Sequence, residues 1–506
     1  MRRLTRLTAA GALLALLTAS GCAAERPSAL QLLDGVAVYD ADAAQVRVAT
    51  PTDGVTYSLS DAEGGTAASG EAPAHDGVAV IDLSEAGPGY FTLTAEDGTG
   101  SLTSSLGIVA DLDAAPSPRF GTTAHPSLHE GVDQTAAAVA VGAATVRVDW
   151  RWEDAIEAEG RLTPGDDVEA EIARLQARGI TPNLVFAYYG ECDDGRTPST
   201  PECIQEYVDF VVEAARHYGT GVEYGVYNEF NATTTTSACG TTAACYLEIL
   251  EPTAAAVRAA VPGAVVTGPA LGATDGWWDV GGAARVWFQE FADLGGLALV
   301  DRVTVHAYSL TTPPEGKQEA VVQAVREIMA AAGVERPVVM EETGYTTTAS
   351  GLPEDAQAAF LVRDALLVLA AGAERYMYYN LVDNWDRPEG GEANFGMFRH
   401  EDIAQGTLTP KPAGIAHAVL ARLVGADSLV AVETTADPDL HVVRIDQPDG
   451  SQDRVVWSVE RGHVVSAAAS TALDMFGSPL SADLDAVEVG GTPVILQDCG
   501  PVSLAG

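Results

Sequence analysis

Two short apolar runs of the chain end in carboxylate residues, and these carboxylates have the types and spacing for chemistry. The run Val222–Phe230 reads V-E-Y-G-V-Y-N-E-F and closes on an adjacent amide and carboxylate, Asn228 and Glu229. The run Pro337–Tyr345 reads P-V-V-M-E-E-T-G-Y and offers Glu342 in a similar position. Two carboxyl groups, one protonated and one ionised, can together cleave a glycosidic bond. The two runs therefore predict that chemistry if the fold brings their ends together.

The elements that must position these residues are strands that alternate with Ala-rich amphipathic helices. Eight such units over about 300 residues are the size of a (β/α)8 TIM barrel, an α/β fold that places catalytic groups at the C-terminal ends of its strands. A doubly wound open sheet is the competitor, but no Gly-rich phosphate loop follows any predicted strand. The predicted strands are Phe120–Thr123, Thr145–Trp150, Pro182–Tyr188, Val222–Tyr227, Ala264–Gly268, Arg302–Ala307, Pro337–Glu342 and Arg375–Tyr379.

On both sides of the predicted barrel, the chain has short runs of alternating apolar and polar residues separated by turn residues. This pattern favours small β domains. We predict an N-terminal β-sandwich over residues 25–112, the barrel over 119–424 and a C-terminal β-sandwich over 425–506. The stretch Asp113–Arg119 reads as a linker because it is rich in Pro and small residues. Neither flanking domain shows a catalytic pattern.

Further polar and aromatic residues lie on the predicted strands or near their C-terminal ends. Arg147 lies on the second strand, Tyr188 ends the third, His306 and Tyr308 accompany the sixth, and Trp385 follows the eighth. Each residue alone is weak evidence, and their order along one barrel carries the prediction. Five tryptophans at or after strand ends are candidates to line a sugar cleft, namely Trp150, Trp152, Trp277, Trp278 and Trp385. The alternative is packing at the barrel rim, which we favour for Trp150 and Trp287.

This constellation resembles clan A of the glycoside hydrolases, the retaining (β/α)8 enzymes, with family 39 and family 5 both similar. Y-N-E-F resembles the acid/base motif that follows strand four of that clan, and E-T-G-Y its strand-seven nucleophile motif. H-A-Y at His306–Tyr308 is similar to its strand-six signature, and V-R-V-D-W carries an arginine where the clan often has one. The resemblance covers about Arg119 to Val424, and the terminal segment resembles the β domain often appended to such barrels.

The resemblance and the needs of the mechanism together assign expected roles. Glu342 would be the nucleophile and would need donors, for which Arg147 and Tyr308 are the candidates. Glu229 would be the general acid/base, and a less polar, like-charged setting would raise its pKa. Asn228 would bind the sugar 2-hydroxyl. The substrate-positioning residues would be His306, Tyr188 and Trp385.

Glu341 and Glu342 are adjacent, and strand alternation places them on opposite faces. The E-x-G spacing and the resemblance favour Glu342 as the residue that faces the site. We expect Glu341 to pair with a cation behind the strand.

The first residues have the pattern of a signal peptide, residues 1–22. Arg2, Arg3 and Arg6 precede the apolar stretch Leu7–Ala19, which is too short to span a bilayer as a stable helix. The ending L-T-A-S-G-C resembles a bacterial lipobox in which Cys22 would carry lipid, although Ala19 stands where Leu is usual. Simple secretion is the alternative. Either way we expect export, with the membrane reached only through this anchor, to a bacterial surface or periplasm.

Cysteine usage agrees with export. Cys192 with Cys203 and Cys239 with Cys245 form two close pairs in polar loops, and local bridges are the simplest connectivity, with other pairings still open. The spacings do not fit a zinc site. Cys499 has no predicted partner.

The formal charge of −43 becomes −46 without the three leader arginines, and such a field repels nucleic acid and anionic membranes. We therefore expect a carbohydrate partner and no nucleic acid. No motif for a metal or a cofactor is present, so none is expected. A surface glycan-binding lipoprotein without catalysis is the alternative function, but binding alone would not demand both carboxylates together with Asn228, Arg147 and Tyr308. Exo and endo action both remain open.

Overall fold

The computed structural model describes residues 27–112, 114–129, 132–152, 156–158, 161–188, 192–194, 196–233, 236–273, 282–347, 351–384, 391–400 and 406–505. The signal-peptide and lipobox predictions, with Cys22, lie outside these residues. So do Trp277, Trp278 and Trp385. Within the described residues, no helix is long and apolar enough to cross a bilayer.

The centre of the chain is a closed barrel of eight parallel strands whose order in the sheet follows the chain. This confirms the predicted TIM barrel. Nearly all strand residues are buried, as expected for parallel strands covered on both faces. The strands are β1 (Phe120–Ala124), β2 (Thr145–Arg151), β3 (Thr181–Ala187), β4 (Glu223–Val226), β5 (Val265–Gly272), β6 (Arg302–His306), β7 (Val338–Thr343) and β8 (Arg375–Tyr378).

Eight α-helices follow the strands and cover the outside of the barrel. The third helix shows why they begin and end where they do: the Thr200 side chain accepts a hydrogen bond from the Cys203 amide, Pro201 fits the first turn, and Gly219 follows the last residue with a positive φ. The helices are α1 (Gln134–Ala140), α2 (Asp166–Ala177), α3 (Pro201–Tyr218), α4 (Ala243–Ala260), α5 (Ala283–Asp293), α6 (Gln318–Ala332), α7 (Glu354–Ala370) and α8 (Pro412–Leu423).

Short elements lie in the connections between barrel strands. Ile156–Ala158 pairs with Arg161–Thr163 after β2. The 3-10 turns are Pro126–Leu128, Cys192–Asp194, Gly296–Ala298 and Gly391–Ala393.

The N-terminal domain is one eight-stranded sheet that curls on itself. Residues from distant strands, such as Val46 and Ile108, share a single apolar core, so the two halves of the sheet face each other as in a sandwich. The strands are Gln31–Leu32, Val38–Asp40, Gln45–Ala49, Gly54–Asp61, Thr66–His75, Val78–Asp82, Gly89–Glu96 and Ser101–Val109.

The C-terminal domain has a five-stranded and a three-stranded sheet, and residues of both contribute to one core. Its strands are Leu429–Glu433, Leu440–Asp446, Gln452–Ser458, His463–Ser466, Thr471–Leu473, Val487–Val489, Val494–Gln497 and Ser503–Leu504. It is joined to the barrel through Glu315, which accepts hydrogen bonds from Arg363 on α7 (2.7 and 2.6 Å) and from Trp457 Nε1 (2.8 Å). The ion pair itself lies within the barrel, and the Trp457 hydrogen bond connects it to the C-terminal domain.

One predicted disulfide is confirmed: Cys239, in the loop before α4, is bonded to Cys245 in the first turn of α4. Cys203 is also disulfide-bonded. The side chain of Cys192 lies outside the description, so the Cys192–Cys203 pairing stays a prediction. Cys499 is free and buried.

Candidate active site

The sequence-predicted polar residues come together at the C-terminal mouth of the barrel. Arg147 lies on β2, Tyr188 directly follows β3, and Asn228 and Glu229 follow β4. His306 ends β6, Tyr308 follows two residues later, and Glu342 lies on β7. Parallel strands end at the same edge of the barrel, which is why residues far apart in sequence meet there.

Glu342 is held by two donors. The Tyr308 hydroxyl donates to its Oε2 over 2.7 Å, and Nη1 of Arg147 forms an ion pair with its Oε1. Its side chain is 11% exposed. These contacts favour the ionised carboxylate.

Arg147 is the hub of the cluster and is 1% exposed. Its Nε and Nη2 donate to Asp149 Oδ1 over 3.1 and 2.8 Å, and Nη2 also donates to Asn228 Oδ1 over 2.9 Å. The amide nitrogen of Asn228 in turn donates to the Tyr188 hydroxyl. Because both ends of the Asn228 amide are held, its orientation at the mouth is fixed.

Glu229 lies in the turn that leaves β4, with a φ of 42°. Backbone in this region is costly for a residue other than glycine and is typical of functional sites. The side chain of Glu229 is 31% exposed at the mouth of the barrel. Its Oε1 lies 3.1 Å from His306 Nδ1. One oxygen of Glu229 and one of Glu342 lie within 4.8 Å of each other.

The electrostatics of Glu229 differ from the prediction. Burial raises its pKa, but the hydrogen bond from His306 and the charges of His306 and Arg147 outweigh burial and hold the pKa below its usual value. His306 shows the complementary effect, since burial lowers its pKa while Glu229 and Glu341 raise it above its ordinary value. The predicted rise in the pKa of Glu229 is therefore wrong: carboxylates do lie nearby, but the contacts with His306 and Arg147 outweigh them.

Glu341 does not lie behind the strand as predicted. It is 1% exposed, and it accepts a hydrogen bond from Asn183 Nδ2 over 2.7 Å and lies 3.1 Å from His306 Nε2. Asn183 is on β3, across the barrel from β7, so Glu341 points into the barrel. The reason is a bulge: β7 pairs with β6 at Met340 and next at Glu342, which breaks the strict alternation of faces.

Two site residues were missed by sequence reasoning. Asp149 binds Arg147, and its position two residues along the same strand signals a shared face. Asn183 is buried in the otherwise apolar strand T-P-N-L-V-F-A, which is also a readable signal. A cavity of about 350 Å³ beside this cluster is lined by His125, Asp149, Tyr188, Tyr379, Asn384 and Glu392, among others.

Of the five candidate tryptophans, Trp150 and Trp152 lie among the described residues, and both pack against aromatic side chains. Trp150 is 1% exposed and packs against Phe186 and Phe210, so it belongs to the barrel wall. Trp152 stacks on Phe210 of α3. The aromatic residues on the described cavity are Tyr188 and Tyr379.

Atoms of Glu229, His306 and Glu342 lie close enough together to hold a metal ion. The chemistry of the donor set disfavours one, because the Arg147 guanidinium is already paired with Glu342 and two carboxylates raise the pKa of the His306 imidazole. A metal ligand must be a neutral imidazole or a free carboxylate. The cluster is therefore better suited to proton transfer and covalent chemistry.

Solved structures share this fold. A family 39 glycoside hydrolase from the gut symbiont Bacteroides cellulosilyticus WH2 matches with a TM-score of 0.75 at 21% identity, over 92% of this chain and 99% of that one. The catalytic domain of GH30 xylanase C from Talaromyces cellulolyticus matches with a TM-score of 0.51 at 14% identity, over 76% and 96%. A conserved exported protein from Bacteroides fragilis matches with a TM-score of 0.52 at 11% identity, over 77% and 98%.

No protein-family model and no curated protein matches the sequence. At these identities the structural likeness shows the fold, which is a TIM barrel like those of glycoside hydrolases.

Proposed function

We propose that this protein is a retaining glycoside hydrolase that cleaves β-glycosidic bonds of an oligo- or polysaccharide by double displacement. The observation that carries the proposal is the approach of Glu229 and Glu342 oxygens to within 4.8 Å at the barrel mouth. Retaining enzymes hold their carboxyl groups about 5–5.5 Å apart, whereas inverting enzymes need roughly 6.5–9.5 Å to admit a water between them.

Glu342 is the nucleophile in this proposal. Its Oε atom attacks the anomeric carbon and forms a glycosyl ester while the leaving group departs. The Tyr308 hydroxyl and the Arg147 guanidinium keep the carboxylate ionised and fix its direction. Arg147 cannot donate a proton at any working pH, so it stabilises charge and takes no part in proton transfer.

Glu229 is the general acid and then the general base. In the first step it protonates the leaving oxygen, and in the second it takes a proton from the water that attacks the glycosyl ester. Asn228 faces the same space, and its amide is oriented by Arg147 and Tyr188 to bind the 2-hydroxyl, a contact that strengthens in the transition state.

The cavity on the β1, β2 and β8 side supplies the sugar site. Tyr188 and Tyr379 offer aromatic rings for a pyranose face, and Asp149 and Asn384 offer polar groups for hydroxyls. Trp385, in the β8 connection, remains a proposed stacking residue. A carbohydrate is the proposed partner, and no cofactor is required.

Export belongs to the same proposal. The Cys239–Cys245 disulfide and the likeness to a protein described as exported support it. A lipid on Cys22 would tether the enzyme at a bacterial surface or in the periplasm.

The test is the stereochemistry of hydrolysis. A panel of aryl β-glycosides is incubated with the full chain, and proton NMR follows the anomer that appears first. The proposal expects the β-anomer first with one or more sugars, and no hydrolysis by Glu342→Gln. The α-anomer first would overturn the retaining mechanism. Binding of glycans without hydrolysis of the panel or of broad glycan mixtures would favour the binding-protein function.

A further inference from the structure

His306 lies between two carboxylates that have different surroundings. Its Nδ1 is 3.1 Å from Oε1 of Glu229, which is 31% exposed at the barrel mouth, and its Nε2 is 3.1 Å from Oε2 of Glu341, which is buried in the barrel. The imidazole itself has no exposed surface. The three side chains thus form a line from the barrel interior to the site of proton transfer.

We infer that Glu341 is a positioning residue that acts through His306 to store a proton beside Glu229. The inference rests on the proposed function and deepens it, because it names the source of the proton that the leaving group needs. Nothing in the reaction requires a second buried glutamate next to the nucleophile, so Glu341 needs its own explanation.

Geometry gives Glu341 that role. The bulge in β7 turns Glu341 inward, and Asn183 donates to its Oε1, which leaves Oε2 to accept from His306 Nε2. An imidazole whose Nε2–H is held by a carboxylate keeps its Nδ1 directed at the opposite partner. The same logic orients the histidine in a catalytic triad. Here the opposite partner is Glu229.

Proton transfer follows from this line. We assign both protons to the imidazole of the resting protein and none to Glu229, because each ring nitrogen lies 3.1 Å from a carboxylate oxygen. The pKa directions of the two groups agree with this assignment. The Nδ1–H bond breaks as an O–H bond forms on Glu229, and that O–H bond breaks as the leaving oxygen takes the proton. His306 is then neutral, with its remaining proton on Nε2 held by Glu341. The attacking water later returns a proton through Glu229 to Nδ1.

Other charged or titratable groups face the His306–Glu229 couple, and they set the background for its titration. Arg147 opposes a proton on the imidazole, since its Nη1 lies 3.4 Å from Nε2. Asp149 favours protonation, as its charge raises the pKa of Glu229. The groups are Arg147 and Asp149 on β2, Tyr188 after β3, Tyr308 after β6, Glu341 and Glu342 on β7, and Glu392 in the β8 connection.

The test is the pH dependence of Glu341→Gln. The amide keeps the size of the side chain and can still accept from Nε2, but it removes a negative charge that favours the protonated couple. We expect the basic limb of kcat/KM to move to lower pH by about one unit or more. Glu341→Asp keeps the negative charge, so the basic limb of its kcat/KM profile should stay at the wild-type pH. Glu223→Gln removes another buried barrel carboxylate, at the opposite end of the barrel, and should leave the limb in place.

A measurement on the wild-type chain guards against misfolding of the variant. Nitrogen NMR of the imidazole, assigned by its loss in His306→Gln, reports charge and tautomer without substrate. We expect a cationic His306 at pH 6.5 and, once neutral, the Nε2–H tautomer. A neutral His306 at that pH, or an Nδ1–H tautomer, would overturn the inference. So would an active Glu341→Gln with an unmoved basic limb, whereas a wild-type chain that hydrolyses no glycoside counts against the proposed function instead.

Discussion

The two ends of the barrel both contain buried arginine–glutamate contacts, yet they differ in charge balance. At the floor, Glu223 at the start of β4 pairs with both guanidinium nitrogens of Arg375 at the start of β8, over 3.1 and 3.2 Å. Arg302 lies 3.4 Å from Glu223 and binds Glu374 over 2.8 Å. Two carboxylates thus meet two permanent cations.

At the mouth, four carboxylates surround one arginine and one histidine. Arg147 contacts Asp149 and Glu342, while His306 contacts Glu229, Glu341 and Glu342. The backbone differs as well, since Tyr188, Tyr227 and Glu229 at the mouth have positive φ angles. Such conformations cost about 1–3 kcal/mol each.

The contrast teaches where chemistry resides in this barrel. A balanced cluster holds its charges in place and fixes structure. A cluster with more carboxylates than permanent cations must share protons, and sharing protons is what acid/base catalysis needs. The floor should therefore affect stability and the mouth should affect rate.

We expect the largest loss of rate from a change at the mouth, the removal of the Glu229 carboxyl group. Glu229→Ala should lower kcat/KM about 10²–10⁴-fold for a glycoside with a poor leaving group, because general acid catalysis is lost. A substrate with a strongly activated leaving group should lose little in its first step. Steady-state kinetics on paired substrates and added azide measure this, with a β-glycosyl azide as the expected rescue product. An equal loss on both substrates would remove Glu229 from the acid role.

Glu223→Gln tests whether the ion pairs at the N-terminal end of the barrel contribute to stability. It leaves Arg375 buried without its counter-ion, so the free energy of unfolding should fall by about 3–5 kcal/mol while kcat/KM stays unchanged. Chemical denaturation and kinetics on the same preparation measure both. Glu374→Gln is the matched control: this carboxylate is 39% exposed, and its loss should cost at most about 1 kcal/mol. If Glu223→Gln kept wild-type stability but lost rate, the assignment of stability to the floor and of catalysis to the mouth would be wrong.

Asp364 on α7 is a third case, a buried carboxyl that accepts from the hydroxyls of Thr343 and Tyr376. Burial raises its pKa from 3.8 to about 8. Because the folded pKa lies above the unfolded one, the stability it provides is complete below about pH 4 and is lost as the pH rises toward 8. Between pH 5 and 7 the free energy of unfolding should fall by about 3 kcal/mol. Asp364→Asn should remove that fall, as followed by denaturation at both pH values. An unchanged pH dependence would show that Asp364 is ionised.

The smallest expected effect on rate comes from the tyrosine that donates to the nucleophile at the mouth. Tyr308→Phe removes the 2.7 Å hydrogen bond to Glu342 Oε2 and leaves Arg147 as its remaining donor. Hydrogen bonds to charged groups contribute about 1.5–3 kcal/mol, so kcat/KM should fall about 10- to 100-fold with unchanged thermal stability. A loss of stability instead of rate would make Tyr308 a packing residue, since its ring also contacts Tyr379 and Phe395.

Sequence patterns predicted the barrel because eight β-rich runs alternate with helices, and buried parallel strands are continuous apolar runs. Placing Glu229 and Glu342 at one mouth needed only the rule that parallel strand ends converge. Asp149 could have been predicted, because residues two apart on a strand share a face and Arg147 lies two residues before it. Glu341 was not, because a bulge in β7 depends on pairing with two neighbouring strands and leaves no mark in the local sequence. The Glu223–Arg375 pair also depends on how the barrel closes.

The pKa direction of Glu229 was missed for a similar reason. Its neighbours along the chain are Asn228 and Phe230, and neither carries charge. The group that lowers its pKa most is His306, which the fold brings from β6. Long-range contacts, rather than local sequence, set the protonation of this site.

Covalent labelling would identify the nucleophile of the reaction itself. The full chain is incubated with 2-deoxy-2-fluoro glycosides of several sugars, and mass spectrometry locates the attached sugar on a peptide. The account predicts a label on Glu342 that is absent in Glu342→Gln, together with loss of activity in proportion to labelling. A label on Glu341, or on any other residue of an active chain, would contradict it.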